Sequence, residues 1–183
     1  NLLEEHFDRL GIKPEARARI RWIRANAPTR SVNTGIKNTP CRFCSRKMGF
    51  VLEAEAFNTE YATFEDYDNN DQVLEFYPQP CKLRISYINA NGKLVHPDIT
   101  PDIFQVCRDY FAFVECKTEE ELLKLAEAQP NRYQLDGQGR WRSPPGEAAA
   151  EKLGCRFIVR SSSENNWIAL ENYEFFADYL RKL

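Results

Sequence analysis

The sequence has no run near the roughly 20 uninterrupted apolar residues that a membrane span requires, and no apolar signal segment at its start. Internal repeats and low-complexity tracts are missing too. Six cysteines, at positions 41, 44, 81, 107, 116 and 155, are too sparse for a disulfide-stapled secreted scaffold. Several lie in apolar runs, where a reduced cysteine acts as a small hydrophobe, so a reducing cytoplasm fits best. Between Val51 and Cys81 there is no Lys or Arg at all, against eight acids. What remains is ordinary for a globular protein: 183 residues, 43% apolar and 28% charged, enough for one domain with a buried core. The chain opens at Asn rather than Met, which fits a fragment or a processed product.

The net charge of −2 conceals an asymmetry. Residues 1–50 hold eleven Lys/Arg against four Asp/Glu, a local charge of +7, and the other 133 residues hold fourteen against twenty-three, or −9. A basic segment beside an acidic body suggests a phosphate-binding surface next to concentrated carboxylates. Metal-dependent nucleic-acid enzymes need both.

Periodicity predicts a helix over residues 1–10, stopped at Gly11, and a second from Pro14 to about Asn26. Arg17, Arg19, Arg21, Arg24 and Arg30 stud this stretch, either as a solvated face or as a phosphate grip. Residues 27–49 read as an irregular basic connector. Phe57, Tyr61 and Phe64 then recur at helical spacing, with Glu60 on the inward side, where a carboxylate needs a reason. Residues 81–88 alternate as a half-buried strand, Asn91-Gly92 signals a hairpin, its partner strand includes Leu94 and Val95 and continues past two prolines as 102–107, and a third strand over 110–117 makes a three-strand meander. Thr118 to Glu121 forms a capping box opening a helix that ends near Pro130. A polar loop (131–145), a helix over 146–153, a strand over 155–160 and a closing helix from about Ala169 complete an α/β chain. The expected architecture is a small mixed central sheet flanked by helices, with a basic helical N-terminal arm over 1–48 and a catalytic domain over 49–183.

The informative segment is Pro101-Asp102 followed by Glu115-Cys116-Lys117. Glu115 and Lys117 are two apart on a strand and share a face. Asp102 begins the neighbouring strand, and Glu60 arrives from the packed helix. Three carboxylates and one ammonium thus converge at one end of the sheet. Carboxylate oxygens bind Mg²⁺, and a lysine beside it can orient water and stabilise developing negative charge. This is the PD-(D/E)xK nuclease pattern. Pro97-Asp98 offers an alternative acid, but Asp102 directly begins the apolar strand.

Over residues 42–182 the chain resembles the TnsA-like endonuclease subunit of heteromeric transposases. The likeness rests on Ser45-Arg46-Lys47-Met48-Gly49 before the Glu60 helix, Gln79-Pro80 before the first meander strand, Thr100-Pro101-Asp102, Glu115-Cys116-Lys117, and Asn172 ahead of aromatic residues. It departs where the family has Glu-Ser before the helix glutamate, since this chain has Glu55-Ala56-Phe57-Asn58-Thr59, and in Cys116 between the Glu and the Lys. No large C-terminal domain follows, unless it belongs to a longer fusion. The resemblance implies a restriction-endonuclease-like fold and a prokaryotic, cytoplasmic enzyme that cuts double-stranded DNA at the 5′ ends of a transposon alongside a DDE transposase partner. Glu60, Asp102, Glu115 and Lys117 would be catalytic, the three acids holding Mg²⁺ or Mn²⁺ in its place. Arg17, Arg21, Arg24, Arg46 and Lys47 would grip backbone phosphates without reading bases. Alternatives are a catalytically degenerate docking module of the same fold and a phage-defence nuclease.

Other features weigh less. Cys41-Arg-Phe-Cys44 is half of a zinc site and lacks two further ligands, so zinc is not expected. His96 could contact phosphate or be an incidental loop residue. Trp141, between Arg140 and Arg142, could stack on DNA or pin its loop. Ser161 to Ser163 lacks the His and Asp spacing of a nucleophilic serine.

Overall fold

The computed structural model describes residues 2–26 and 41–180. At its centre is a four-stranded sheet made of β3 (Val73–Pro78), β8 (Ile103–Cys107), β9 (Phe111–Lys117) and β12 (Arg156–Ser161). The spatial order is β12-β9-β8-β3, with β9 parallel to β12 and antiparallel to β8, and β8 antiparallel to β3. The architecture is therefore mixed α/β. Both central strands are apolar nearly throughout and are buried on both faces, as strands covered on two sides must be.

Alternation along β9 divides the core. Phe111 and Phe113 face one cluster, with Phe104 and Val106 of β8. Val114 and Cys116 face the other, with Ile103 and Cys107. The first face is covered by α1 (Leu2–Arg9), α2 (Pro14–Ala25), α4 (Glu119–Ala128) and α5 (Pro144–Glu151), through Phe7, Ile20, Ile23, Leu122 and Ala150. The second is covered by the hairpin β1 (Cys41–Cys44) and β2 (Val51–Ala54) and by α3 (Ala62–Asn69), through Phe43, Leu52, Phe64 and Tyr67. At about 1.5–3 kcal/mol for each large apolar side chain fully buried, Phe7, Ile20 and Ile23 tie the N-terminal helices firmly to the sheet. They form a layer of the core, so the helical part of the expected basic arm packs on the sheet.

Other expectations shift in detail. The antiparallel neighbour of β8 is β3, not residues 81–88. That stretch instead supplies β4 (Leu83–Arg84) and β5 (Tyr87–Ile88), paired with β7 (Asp98–Ile99) and β6 (Leu94–Val95) in two short ladders. Alternation alone could not show which partner a strand takes. The hairpin turn falls where expected, with Gly92 at φ +73. The basic connector was read as irregular, but its end pairs with Val51–Ala54, so the expected boundary at 48/49 lies inside a hairpin. Likewise the polar loop contains β10 (Gln134–Leu135) paired with β11 (Trp141–Arg142). Arg30 and the rest of 27–40 lie outside the described residues. The closing helix, α6 (Trp167–Leu180), begins two residues before the expected start.

Candidate active site

The acids meet where β8 begins and β9 ends. Ile103 is paired with Val114, and one step further along that register Asp102 stands opposite Glu115, so both project from the same face. Lys117 shares that face by alternation, and its Nζ is 3.6 Å from Glu115 Oε1. The Asp102 carboxylate is also tied to the opposite strand, its Oδ2 accepting the Cys116 amide at 2.7 Å. Its main-chain carbonyl accepts the Gln79 amide at 2.7 Å.

Glu60 arrives on an unusual piece of helix. Residues Phe57–Tyr61 form a single π-helical turn ahead of α3, with the Tyr61 amide donating to the Ala56 carbonyl at 3.1 Å. The additional residue per turn breaks the regular stripe. Phe57, expected on the apolar face, is 41% exposed, while Glu60 is buried. Such turns concentrate at functional sites because they re-aim one side chain. Glu60 Oε2 accepts the Glu55 amide at 2.6 Å. Burial, then repulsion from Asp102, pushes its carboxyl up to about 8, against the Glu55 amide. Burial works against the Lys117 ammonium, yet Asp102 and Glu115 outweigh it and raise its pKa. Lys117 thus interacts with Glu60, Asp102 and Glu115, and Asp102 with Glu60 as well.

Several groups here carry no sequence signal. Tyr133 donates its hydroxyl to Glu115 Oε1 at 2.8 Å, and Arg132 stands 3.8 Å from the same oxygen. Glu115 Oε2 is buried with no hydrogen-bond partner among the described residues. Gln79 is buried at φ 44, a left-handed conformation rare outside glycine, and its side-chain amide donates to Glu55 Oε1 at 3.0 Å. Gln79, just after β3, therefore links the residue ahead of β8 to the segment that holds Glu60. In the sequence Gln79 marks only the approach to a strand, and the placing of Tyr133 beside Glu115 is set by tertiary packing.

Among the described residues, no three His, Cys, Asp or Glu side chains form a group that could hold a metal ion unaided. Mg²⁺ needs less than that, since it commonly takes one or two carboxylates and keeps several waters. An orphaned oxygen on Glu115 and a Glu60 pushed towards protonation beside Asp102 are donor chemistry that a hard cation would satisfy. On those grounds the residues fit Mg²⁺, or Mn²⁺ in its place. Cys41 and Cys44 are three apart on β1, so their side chains point to opposite faces and do not form half a zinc site.

The basic residues singled out by sequence have partners within the fold. Arg17 pairs with Asp8 at 2.8 Å and donates to the Ile12 carbonyl. Arg21 forks onto Glu4, and Arg24 onto Glu75 at 2.6 and 2.7 Å. Lys47 Nζ donates to the carbonyls of Tyr67, Asn70 and Val73, capping the end of α3. Arg46, more exposed, donates to the Asn69 side chain. Asp98, the alternative acid, pairs with Arg84 in the short ladder. His96 accepts from or donates to the Ser86 hydroxyl. Trp141 is buried, its indole N–H donating to Glu119, so it pins its loop. Ser161 also bonds Glu119.

No helix among the described residues is long and apolar enough to cross a membrane. Neither a scan of protein-family models nor a search of curated proteins finds a match to the chain.

Proposed function

We propose that the chain is a Mg²⁺-dependent DNA endonuclease domain of restriction-endonuclease-like fold. In this reading it is related to the TnsA-like subunits and cuts the 5′ ends of a transposon with a DDE transposase partner, in a prokaryotic cytoplasm. One observation carries the reading: Asp102, Glu115 and Lys117 at adjoining strand ends, with Glu60 brought in by a π-turn. A PD-(D/E)xK string is common by chance, but a string whose acids are buried and within electrostatic reach of one lysine is not an ordinary surface strand.

Asp102 and Glu115 would hold the metal, with Glu60 as a further ligand or as acceptor of the water proton. The metal would polarise the scissile phosphodiester. Lys117 would orient the attacking water and offset the negative charge that develops on the phosphate. Cys116 packs into the apolar cluster on the other face and acts as a hydrophobe; burial pushes its thiol well up, which suits that role.

The test is Mn²⁺ binding by calorimetry on the wild type and Asp102→Ala. Binding that is lost in the variant supports the nuclease. A degenerate docking module is the second reading, favoured by the way Arg132 and Tyr133 already engage Glu115. It predicts no Mn²⁺ binding at millimolar concentration, with DNA binding that survives loss of the acids.

A further inference from the structure

Arg132 lies just past the end of α4, over the carboxylate end of the sheet. Its guanidinium carbon is 5.0 Å from the centroid of the Tyr133 ring and 5.9 Å from that of Tyr87. Its side chain is only 19% exposed. Pinned against two rings, it has little rotamer freedom left to lose. Yet its Nε is buried without a hydrogen-bond partner among the described residues. Its ion-pair partner among the described residues is Glu115, at 3.8 Å, beyond hydrogen-bond distance.

Donors and acceptors do not balance here. Glu115 Oε1 already takes the Tyr133 hydroxyl at 2.8 Å and has Lys117 at 3.6 Å. A guanidinium brings five N–H groups in a fixed fork, and one carboxylate oxygen crowded by two other donors cannot satisfy them. Nε itself is shut off from solvent, so the groups of the fork that an anion can complete are the outer Nη groups, whose shared acceptor Glu115 stands 3.8 Å away. The fork suits an acceptor with paired oxygens, which the two non-bridging oxygens of a phosphodiester provide.

We infer that Arg132 is a phosphate-contacting residue, its guanidinium engaging a non-bridging oxygen of a DNA backbone drawn to the carboxylate end of the sheet. Tyr87 and Tyr133 are positioning residues that hold the fork. This deepens the nuclease reading and rests on it for the identity of the anion as DNA.

The experiment is fluorescence anisotropy with a short labelled duplex, Ca²⁺ in place of Mg²⁺, over a series of salt concentrations. It compares wild type, Arg132→Gln and Arg132→Lys, with Mn²⁺ calorimetry in parallel. Arg132→Gln should weaken DNA binding about tenfold and lower the slope of log K against log salt by about 1. Arg132→Lys should keep the slope while losing part of the affinity, and it carries the test if the Gln variant fails to fold. Unchanged affinity and slope in Arg132→Gln, with Mn²⁺ still bound by the wild type, overturns this inference and leaves the nuclease reading standing. Arg132-dependent DNA binding without Mn²⁺ binding overturns the metal reading alone. Wild-type protein that binds neither overturns both. If inorganic phosphate binds through Arg132 while the duplex does not, the anion is a free one and the DNA contact is overturned.

Discussion

The Asp102 carboxylate accepts the backbone amide of Cys116 at 2.7 Å, so the residue between Glu115 and Lys117 is tied directly to the third acidic strand position. The fastened acid stands just ahead of β8, and the bond separates two roles of Asp102, as a charge and as a fastener. Asp102→Asn keeps an oxygen for the amide and removes the charge. It should fold with near wild-type stability, lose Mn²⁺ binding, and let Glu60 titrate below about 8, because its repulsive neighbour is gone. Asp102→Ala removes the fastener too. A buried hydrogen bond to a charged group is worth about 1.5–3 kcal/mol, and Asp102→Ala should lose stability of that order in urea unfolding. If Asn and Ala prove equally destabilising, the amide bond contributes nothing.

Glu60 makes stability depend on pH in a direction opposite to most acids. Its folded pKa is raised to about 8 from 4.5, so between those values the folded state holds a proton that the unfolded state has released. Stability linked to this group is therefore present below about pH 4.5 and is lost as pH rises through about 8. In protein kept metal-free with EDTA, Glu60→Gln should flatten that decline and be the more stable form at pH 8.5. The check is urea unfolding of both proteins at intervals from pH 5 to 8.5. A wild type whose stability does not fall over this range would mean Glu60 is ionised and compensated.

Lys117→Ala is the direct chemical test. The ammonium lies 3.6 Å from Glu115, which would still have Tyr133 and Arg132 beside it. The fold should survive, and DNA affinity should be almost unchanged. On the proposed nuclease reading, DNA cleavage should fall at least about 10²-fold, the scale for losing one preorganised group that stabilises transition-state charge. Loss of cooperative melting in this variant would make the lysine structural.

Much of this site was legible because strand alternation is a strict rule. A two-residue spacing puts Glu115 with Lys117, and a short turn returns Asp102 to them, whatever the rest of the fold does. The inward side of the Glu60 helix followed from its apolar neighbours, although the π-turn that exposes Phe57 did not, since no residue pattern marks one additional residue in a turn. Partner choice was not legible. Residues 81–88 alternate well, yet β3 takes the place beside β8, because pairing is settled by contacts distant in sequence. Nor did charge counting show that Arg17, Arg21 and Arg24 are matched by Glu4, Asp8 and Glu75, which lie on neighbouring elements or one turn away.

Arg24 illustrates the consequence. Its bidentate pair with Glu75, which also receives the Tyr77 hydroxyl at 2.7 Å, joins α2 to β3. Arg24→Gln should lower stability by about 1 kcal/mol, the range for a partly exposed pair of good geometry, and leave both DNA affinity and its salt slope unchanged. A drop in the salt slope would restore Arg24 as a phosphate contact.

Gln79 offers the sharpest separation of backbone from side chain. At φ 44 it sits where glycine is comfortable and other residues are strained, and its amide group holds Glu55, whose own backbone N–H holds Glu60. Gln79→Gly relieves the strain and loses the side-chain bond; Gln79→Ala keeps the strain and loses the same bond. The Gly variant should therefore be the more stable of the two, by about 1 kcal/mol, although glycine is usually the costlier residue. Both should weaken Mn²⁺ binding to a similar degree, because both release Glu55 and with it the seat of Glu60. Thermal melts rank stability and calorimetry ranks metal affinity, so the two effects are read independently. An Ala variant as stable as the Gly variant would mean that the left-handed backbone stores no strain. Mn²⁺ affinity untouched in both would mean that Glu60 is placed by its π-turn alone.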